Sequence, residues 1–175
     1  MKFSIRIIIY LVLLAVNIIP CTTAIISGSA TKDGRPLLFK HRDSDYFDNK
    51  LMFFNDAKFS FIGLINTKDV SGKEVWAGIN SEGFCIMNSA SYNLKGNDTT
   101  SLVDNEGVLM KAALGNCASV EEFERFLSLY AKPLGVEANF GVIDAFGNAA
   151  YFETDNFKFT KFDVNDPKVA PNGYL

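Results

Sequence analysis

Short segments with strand character surround a single helical block, and this arrangement constrains the fold more than any other feature. Five such segments precede the block and three follow it. They cover residues 21 to 28, 36 to 42, 58 to 65, 75 to 79 and 84 to 90 before it, and residues 139 to 145, 149 to 154 and 157 to 164 after it. Strands grouped around a central helical block predict an α+β fold built in layers.

The helical block is predicted to contain two helices. The first covers residues 106 to 116, and the second begins at Ser119, where Glu122 completes a capping box. Pro133 ends the block, because proline cannot continue a helix. The apolar face of the second helix consists of Val120, Phe123, Phe126, Leu127 and Tyr130. A helix with one apolar face is expected to pack on a sheet.

A short hydrophobic leader opens the chain. Lys2 and Arg6 precede an apolar run from residue 7 to residue 16, and Pro20 follows that run. This is the pattern of a secretory signal peptide. The run is shorter than the roughly 20 apolar residues of a membrane-spanning helix. We therefore predict that residues 1 to 20 are a signal peptide, and that the protein is secreted or periplasmic without a membrane span.

The cleavage site decides what becomes of Cys21. Cleavage directly before it would make Cys21 the first residue of the mature chain. Pro20 suits signal peptidase poorly, whereas Thr22 and Ala24 would suit cleavage after Ala24, which would remove Cys21. Attachment of a lipid to Cys21 is a third outcome, although a lipid-modified cysteine normally follows glycine, alanine or serine. We predict upstream cleavage followed by self-processing at Cys21.

Composition and charge narrow the classes of partner. The formal net charge of -3 at pH 7 provides no basic patch for nucleic acid, so a small molecule or a protein is the expected partner, and a homo-oligomer is left open. Three cysteines and one histidine occur without a CxxC pair, so neither a structural zinc nor any other cofactor is expected. Cys85 and Cys117 are expected to be small buried apolar side chains.

Cys21 can act as a nucleophile without a histidine. His41 is the only histidine, and it adjoins Arg42 in a strand, where neighbouring side chains point to opposite faces. The α-amine of an N-terminal cysteine offers another base, because its reference pKa is about 7.7 to 8.0. The thiolate then needs a positive neighbour, and the amine needs an acceptor. Arg42 and Asp45 can supply these, because they lie at the end of the strand that pairs with the one beginning at Cys21.

The segment CTTAIISGSATKDGRPLLFKHRDSDY resembles the start of the cysteine N-terminal nucleophile (Ntn) hydrolases of the penicillin V acylase, choloylglycine hydrolase and isopenicillin N acyltransferase group. The matching residues are Cys21-Thr22, Asp33-Gly34, and Arg42 with Asp45. Two later hairpins, WAGINSEGFCIMNSASYN and NFGVIDAFGNAAYFE, extend the resemblance over nearly all of residues 21 to 175. Asp43 departs from the asparagine that is usual after this arginine.

The resemblance implies a fold and a set of catalytic residues. The fold would be a four-layer αββα sandwich of two mainly antiparallel sheets, with residues 21 to 175 as the N-terminal part of one truncated domain. Cys21 would be the nucleophile, and its own amine would be the base. Arg42 would lie against the thiolate and Asp45 would hold the amine. Asn88 would donate a hydrogen bond to the oxyanion of the tetrahedral intermediate.

The implied function is that of an exported cysteine amidase. Such an enzyme would hydrolyse a linear, non-peptide amide C–N bond, or transfer the acyl group to another amine. Two alternatives stay open: an Ntn dipeptidase, whose chain also opens with Cys-Thr, and a non-catalytic binding domain of the same fold that is lipid-anchored or secreted. The catalytic alternatives require Cys21 to become the mature N-terminus.

Overall fold

A computed structural model describes residues 21–91, 105–136 and 138–175 of the chain. The predicted signal peptide lies outside the described residues, and so does most of a polar segment, residues 95 to 105, that is predicted to be a loop. In the ranges that are described, no helix has the length and apolar character needed to cross a membrane.

The described residues form nine strands and two α-helices. The strands are β1 (Thr22–Ile26), β2 (Leu37–His41), β3 (Asn49–Phe54), β4 (Phe61–Asn66), β5 (Ala77–Asn80), β6 (Cys85–Ala90), β7 (Ala138–Ile143), β8 (Ala149–Thr154) and β9 (Phe159–Asp163), and the helices are α1 (Glu106–Asn116) and α2 (Val120–Leu129). Strands β3 to β9 form one antiparallel sheet in sequence order, whereas β1 and β2 form a small separate sheet.

The small sheet is the antiparallel hairpin that the sequence predicts. Its register places Thr22 opposite His41. The other edge of β1 pairs with the last residues of the chain, where Ile25 N donates to Leu175 O at 2.8 Å and Leu175 N donates to Ile25 O at 3.0 Å. Backbone hydrogen bonds therefore hold β1 on both sides.

The two helices begin close to their predicted positions. Ser119 caps α2, because its side chain accepts a hydrogen bond from Glu122 N at 3.1 Å. The Glu122 carboxylate reaches back and accepts one from Ala118 N at 2.7 Å. These contacts satisfy backbone donors that have no partner within the helix. The predicted cap is confirmed, and α2 ends at Leu129, before Pro133.

Two apolar cores lie between the layers. The larger core fills the space between the helices and one face of the seven-stranded sheet. The ring of Phe123 on α2 meets Phe140 and Phe152 of the sheet edge-on, with centroids 6.0 and 5.2 Å apart. The smaller core joins Ile25 of the small sheet to Met87 of the large one. The order of the layers is thus helices, large sheet, small sheet.

Asn80 ties the β5–β6 hairpin to the end of α1. This buried side chain donates from Nδ2 to Leu114 O at 2.9 Å and to Cys117 O at 2.7 Å. Its Oδ1 accepts hydrogen bonds from the backbone N–H groups of Glu82 and Phe84. Both ends of the carboxamide are therefore used within the fold, which makes Asn80 a structural turn residue.

One part of the large sheet carries exposed apolar side chains. The small sheet lies over β6, β7 and β8. On β3, β4 and β5, the side chains of Phe53, Ile62 and Ile79 stand opposite one another and are between 45% and 62% exposed. Leu51, on the same edge strand, is 71% exposed. A contiguous exposed apolar row of this kind is typical of interaction surfaces.

Candidate active site

Cys21 lies directly before β1, beside the loop that follows β2. It is half-buried, and its Sγ donates a weak hydrogen bond to the backbone oxygen of Asp43 at 3.5 Å. The register of the small sheet explains this contact, because Thr22 is opposite His41 and the next residues of each strand meet at the same end. Cys21 is therefore next to the start of the segment that contains Arg42 and Asp45.

Arg42 is half-buried, and three groups hold its guanidinium. Nη1 donates to Asn49 Oδ1 at 2.5 Å and to Tyr46 O at 3.4 Å, and the guanidinium carbon lies 5.0 Å from the centre of the Trp76 ring. Burial lowers the pKa of Arg42, and the charge of Cys21 opposes that shift. Because Thr22 is opposite His41, Arg42 and Cys21 lie at the same end of the small sheet.

Lys40 is a second cation near Cys21, and the sequence reasoning missed it. It lies in β2 opposite Thr23. Its Nζ donates to Trp76 O at 2.8 Å and to Asn88 Oδ1 at 2.6 Å. Burial lowers the pKa of Lys40 to about 8, whereas the charge of Cys21 raises it and that of Arg42 lowers it further. The sequence does contain a signal for this residue. Lys40 and Arg42 alternate with His41 along the predicted strand, so the two cations are expected on the same face.

Asn88 is buried in β6, and Lys40 connects it with the Cys21 region. Its Oδ1 accepts the hydrogen bond from Lys40 Nζ, and its backbone pairs with that of Phe140 in β7. The predicted oxyanion donor thus lies on the large sheet, whereas Cys21 precedes the small one. The site combines residues from both sheets.

Asp45 and His41 both face solvent. In the part of the chain that the structure describes, the Asp45 carboxylate has no hydrogen bond or ion pair. The assignment of Asp45 to the Cys21 amine therefore stays a prediction. His41 is exposed and alternates with the half-buried Lys40 and Arg42, so its side chain lies on the opposite face of the hairpin.

A cavity of about 350 Å³ lies between the two sheets, and Thr23 is one of its lining residues. The large sheet contributes Tyr151 and Glu153 to its wall. Burial raises the pKa of Tyr151, and hydrogen bonding to Ser89 and Asn139 opposes that shift. Asn139 Oδ1 is buried without a hydrogen-bond partner among the described residues. The wall of the cavity is mainly apolar, with polar groups from Thr23, Tyr151 and Glu153, and it begins two residues from Cys21.

The other two cysteines differ from Cys21 in their surroundings. Cys117 is fully buried, as predicted, and Cys85 is half-buried. Burial raises the pKa of Cys117 to about 12 and that of Cys85 to about 11. Both thiols are protonated near neutral pH and are therefore poor nucleophiles. Across the described ranges, no group of His, Cys, Asp and Glu is arranged to hold a metal ion.

The layers and the position of Cys21 define the class of fold. A helical layer, an antiparallel sheet and a second sheet stack in that order, and Cys21 adjoins the first strand of the second sheet. This is the layered Ntn-hydrolase fold, and the prediction of the fold is confirmed by its likeness to solved structures. The described residues supply three of its four αββα layers.

The solved structures with this fold include enzymes from a bacterium and a nematode. Two are variants of conjugated bile acid hydrolase from Clostridium perfringens, each 21% identical to this chain with a TM-score of 0.57. The third is the Caenorhabditis elegans ortholog of N-acylethanolamine-hydrolyzing acid amidase, at 15% identity and a TM-score of 0.64. No protein-family model and no curated protein sequence matches the chain.

The chain matches only part of each of these proteins. Each alignment covers 88% of this chain. The chain spans 52% and 53% of the two bile acid hydrolase chains and 68% of the nematode amidase. Identities this low establish the fold alone.

Proposed function

We propose that the protein is an exported cysteine amidase whose nucleophile is Cys21, made N-terminal by processing. It cleaves a linear, non-peptide amide C–N bond of a small molecule, or transfers the acyl group to another amine. The observation that carries this proposal is that Cys21 adjoins the end of β2, where Lys40 within the strand and Arg42 directly after it place two cations on the Cys21 side of the hairpin. The names of the structural neighbours, a bile acid hydrolase and an N-acylethanolamine-hydrolyzing amidase, support a small-molecule amide as substrate.

The proposed reaction has two steps. In the first, the α-amine of Cys21 takes the thiol proton, and the thiolate attacks the amide carbonyl carbon. The C–N bond then breaks. The α-amine of Cys21 gives the proton to the departing amine of the substrate, and a thioester remains on Cys21. In the second step, water or an acceptor amine attacks the thioester carbonyl and releases Cys21. Asn88 donates to the oxyanion in both steps, and Arg42 favours the thiolate.

Trapping of an acyl group on Cys21 tests this proposal. The exported protein is incubated at neutral pH with amides of three acyl classes: bile acid, phenoxyacyl and fatty acyl. It is then quenched in acid, and the mature N-terminus is analysed by mass spectrometry. We expect a chain that begins at Cys21 and gains the mass of one acyl group on its first peptide. A chain that begins at Ile25, or a lipid on Cys21, would instead support a non-catalytic domain.

Charge near the thiolate, and not His41, should control the reactivity of Cys21. Arg42→Ala is expected to slow alkylation of Cys21 by iodoacetamide at pH 7 about tenfold, because a positive neighbour favours the thiolate. His41→Ala removes an exposed side chain on the other face and should leave alkylation and turnover within a few-fold of wild type. Site-resolved mass spectrometry gives both rates. A hundredfold loss of turnover in a folded His41→Ala protein would point to a Cys-His pair.

A further inference from the structure

Lys40 is a charged group held inside the fold, and the reaction described above assigns no role to its hydrogen bonds. Strand β2 turns Lys40 and Leu38 towards the large sheet, while Phe39 is 54% exposed on the other face. A buried ammonium is costly unless its donors find acceptors. Lys40 meets this requirement with two contacts, the backbone oxygen of Trp76 at 2.8 Å and Asn88 Oδ1 at 2.6 Å.

The contact with Lys40 fixes the orientation of the Asn88 carboxamide. An ammonium can only donate hydrogen bonds, so the atom that it meets must be the amide oxygen. The N–H groups of Asn88 therefore lie at the end of the amide that is turned away from Lys40. Asn80, the other buried asparagine of this hairpin, uses both ends of its amide on backbone groups and cannot serve an oxyanion.

The same ammonium acts on Cys21. Lys40 is opposite Thr23, two residues along from Cys21, and the two side chains of an opposed pair lie on one face of a sheet. The charge of Cys21 raises the pKa of Lys40 against the larger effect of burial. A cation on the same face of the sheet as a cysteine is the kind of neighbour that favours a thiolate.

We propose that Lys40 is a positioning residue of this site, which holds the Asn88 carboxamide by its oxygen so that the amide N–H groups face an oxyanion formed at Cys21. Its charge also favours the Cys21 thiolate. This inference rests on the proposed role of Cys21 as the nucleophile. Lys40 acts through Asn88 and Cys21 and does not itself exchange a proton with the substrate.

Two probes of Cys21 separate these effects. Iodoacetamide reacts by displacement: the sulfur–carbon bond forms, iodide leaves, and no oxyanion arises. p-Nitrophenyl acetate reacts at its carbonyl: the thiolate adds, an oxyanion forms, and p-nitrophenolate leaves behind a thioester. The first rate reports the thiolate alone, and the second also reports the oxyanion donor. Both rates are measured from pH 6 to pH 9 on the mature protein that begins at Cys21.

Three variants carry the test. Lys40→Met is expected to lose about tenfold in alkylation and at least about a hundredfold in acylation, because it removes the charge and releases Asn88. Lys40→Gln keeps a donor for Asn88 without the charge, so its alkylation should fall while its ratio of acylation to alkylation stays near that of wild type. Lys111→Met is the matched control, because Lys111 is also partly buried and donates to a backbone oxygen, that of Gly72, at 2.8 Å.

The outcomes separate this inference from the function on which it rests. If wild-type Cys21 is alkylated no faster than a free cysteine, the proposed nucleophile fails whatever the variants do. If wild-type Cys21 is activated and Lys40→Met matches Lys111→Met in both reactions, the role of Lys40 is overturned. Should Lys40→Met not fold, Lys40→Gln decides, since alkylation at the wild-type rate in that variant would equally overturn it.

Discussion

Replacing Cys21 with alanine is expected to abolish acylation and to leave residues 16 to 20 on the exported protein. Because Pro20 suits signal peptidase poorly, we expect that enzyme to cut after Ala15. The Cys21 thiolate then attacks the Pro20 carbonyl, the peptide nitrogen leaves as the new α-amine, and water hydrolyses the thioester. Neither this step nor substrate acylation can occur without the sulfur, so the acylation rate should fall at least about a thousandfold. Intact-mass spectrometry and acyl trapping measure the two effects.

Cys85→Ala is the matched control for that experiment. Cys85 is half-buried, and burial raises the pKa of its thiol to about 11, so its loss should leave processing and acylation at wild-type levels. An identical N-terminus in wild type and Cys21→Ala would remove the self-processing step. Acyl groups that still attach to the Cys21→Ala protein would refute the nucleophile itself.

Asn80→Ala is expected to lower the free energy of unfolding by on the order of 4 kcal/mol. The substitution leaves two carbonyl groups and two backbone N–H groups without their partner. Each buried polar group left without a partner costs about 1 to 3 kcal/mol, and small domains are stable by only about 5 to 15 kcal/mol. Urea denaturation followed by circular dichroism measures the change.

Asn66→Ala provides the comparison. Asn66 and Asn80 are each 5% exposed, but the Asn66 side-chain oxygen has no hydrogen-bond partner in the described residues. Its removal is therefore expected to cost less than about 1.5 kcal/mol. Equal losses in the two variants would show that burial of an asparagine, rather than the four hydrogen bonds of Asn80, is the source of the effect.

The elements found from the sequence are those with local signals. Eight strands and both helices lie close to their predicted positions. The signals that predict them, namely alternation, turn residues and the Ser119 cap, each involve only a few neighbouring residues. Strand β3 was missed. Its segment, NKLMFF, alternates in burial but not in polarity, because the exposed Leu51 and Phe53 are apolar like the buried Phe54. Pairing with β4, and not a local pattern, makes this segment a strand.

The sequence predicts only the part of the site that lies within one hairpin. Pairing of β1 with β2 was enough to place Arg42 near Cys21. The link from Lys40 to Asn88 depends on how the small sheet lies over β6, and no pattern within either segment encodes that contact. Lysine is also rarely buried, so the sequence alone does not indicate that Lys40 makes contacts inside the fold.

The double pairing of β1 determines how much freedom a newly cut chain end would have. On one side β1 is bonded to β2, and on the other Ile25 exchanges two hydrogen bonds with Leu175. After a cut before Cys21, only that one residue would therefore extend beyond the fixed strand β1, and the new chain end would not be a flexible tail. Since thiol and amine would both belong to that residue, only a few bond rotations separate them from the reactive arrangement. Aligning the nucleophile with the base costs conformational entropy, and most of that cost would already have been met when the sheet formed.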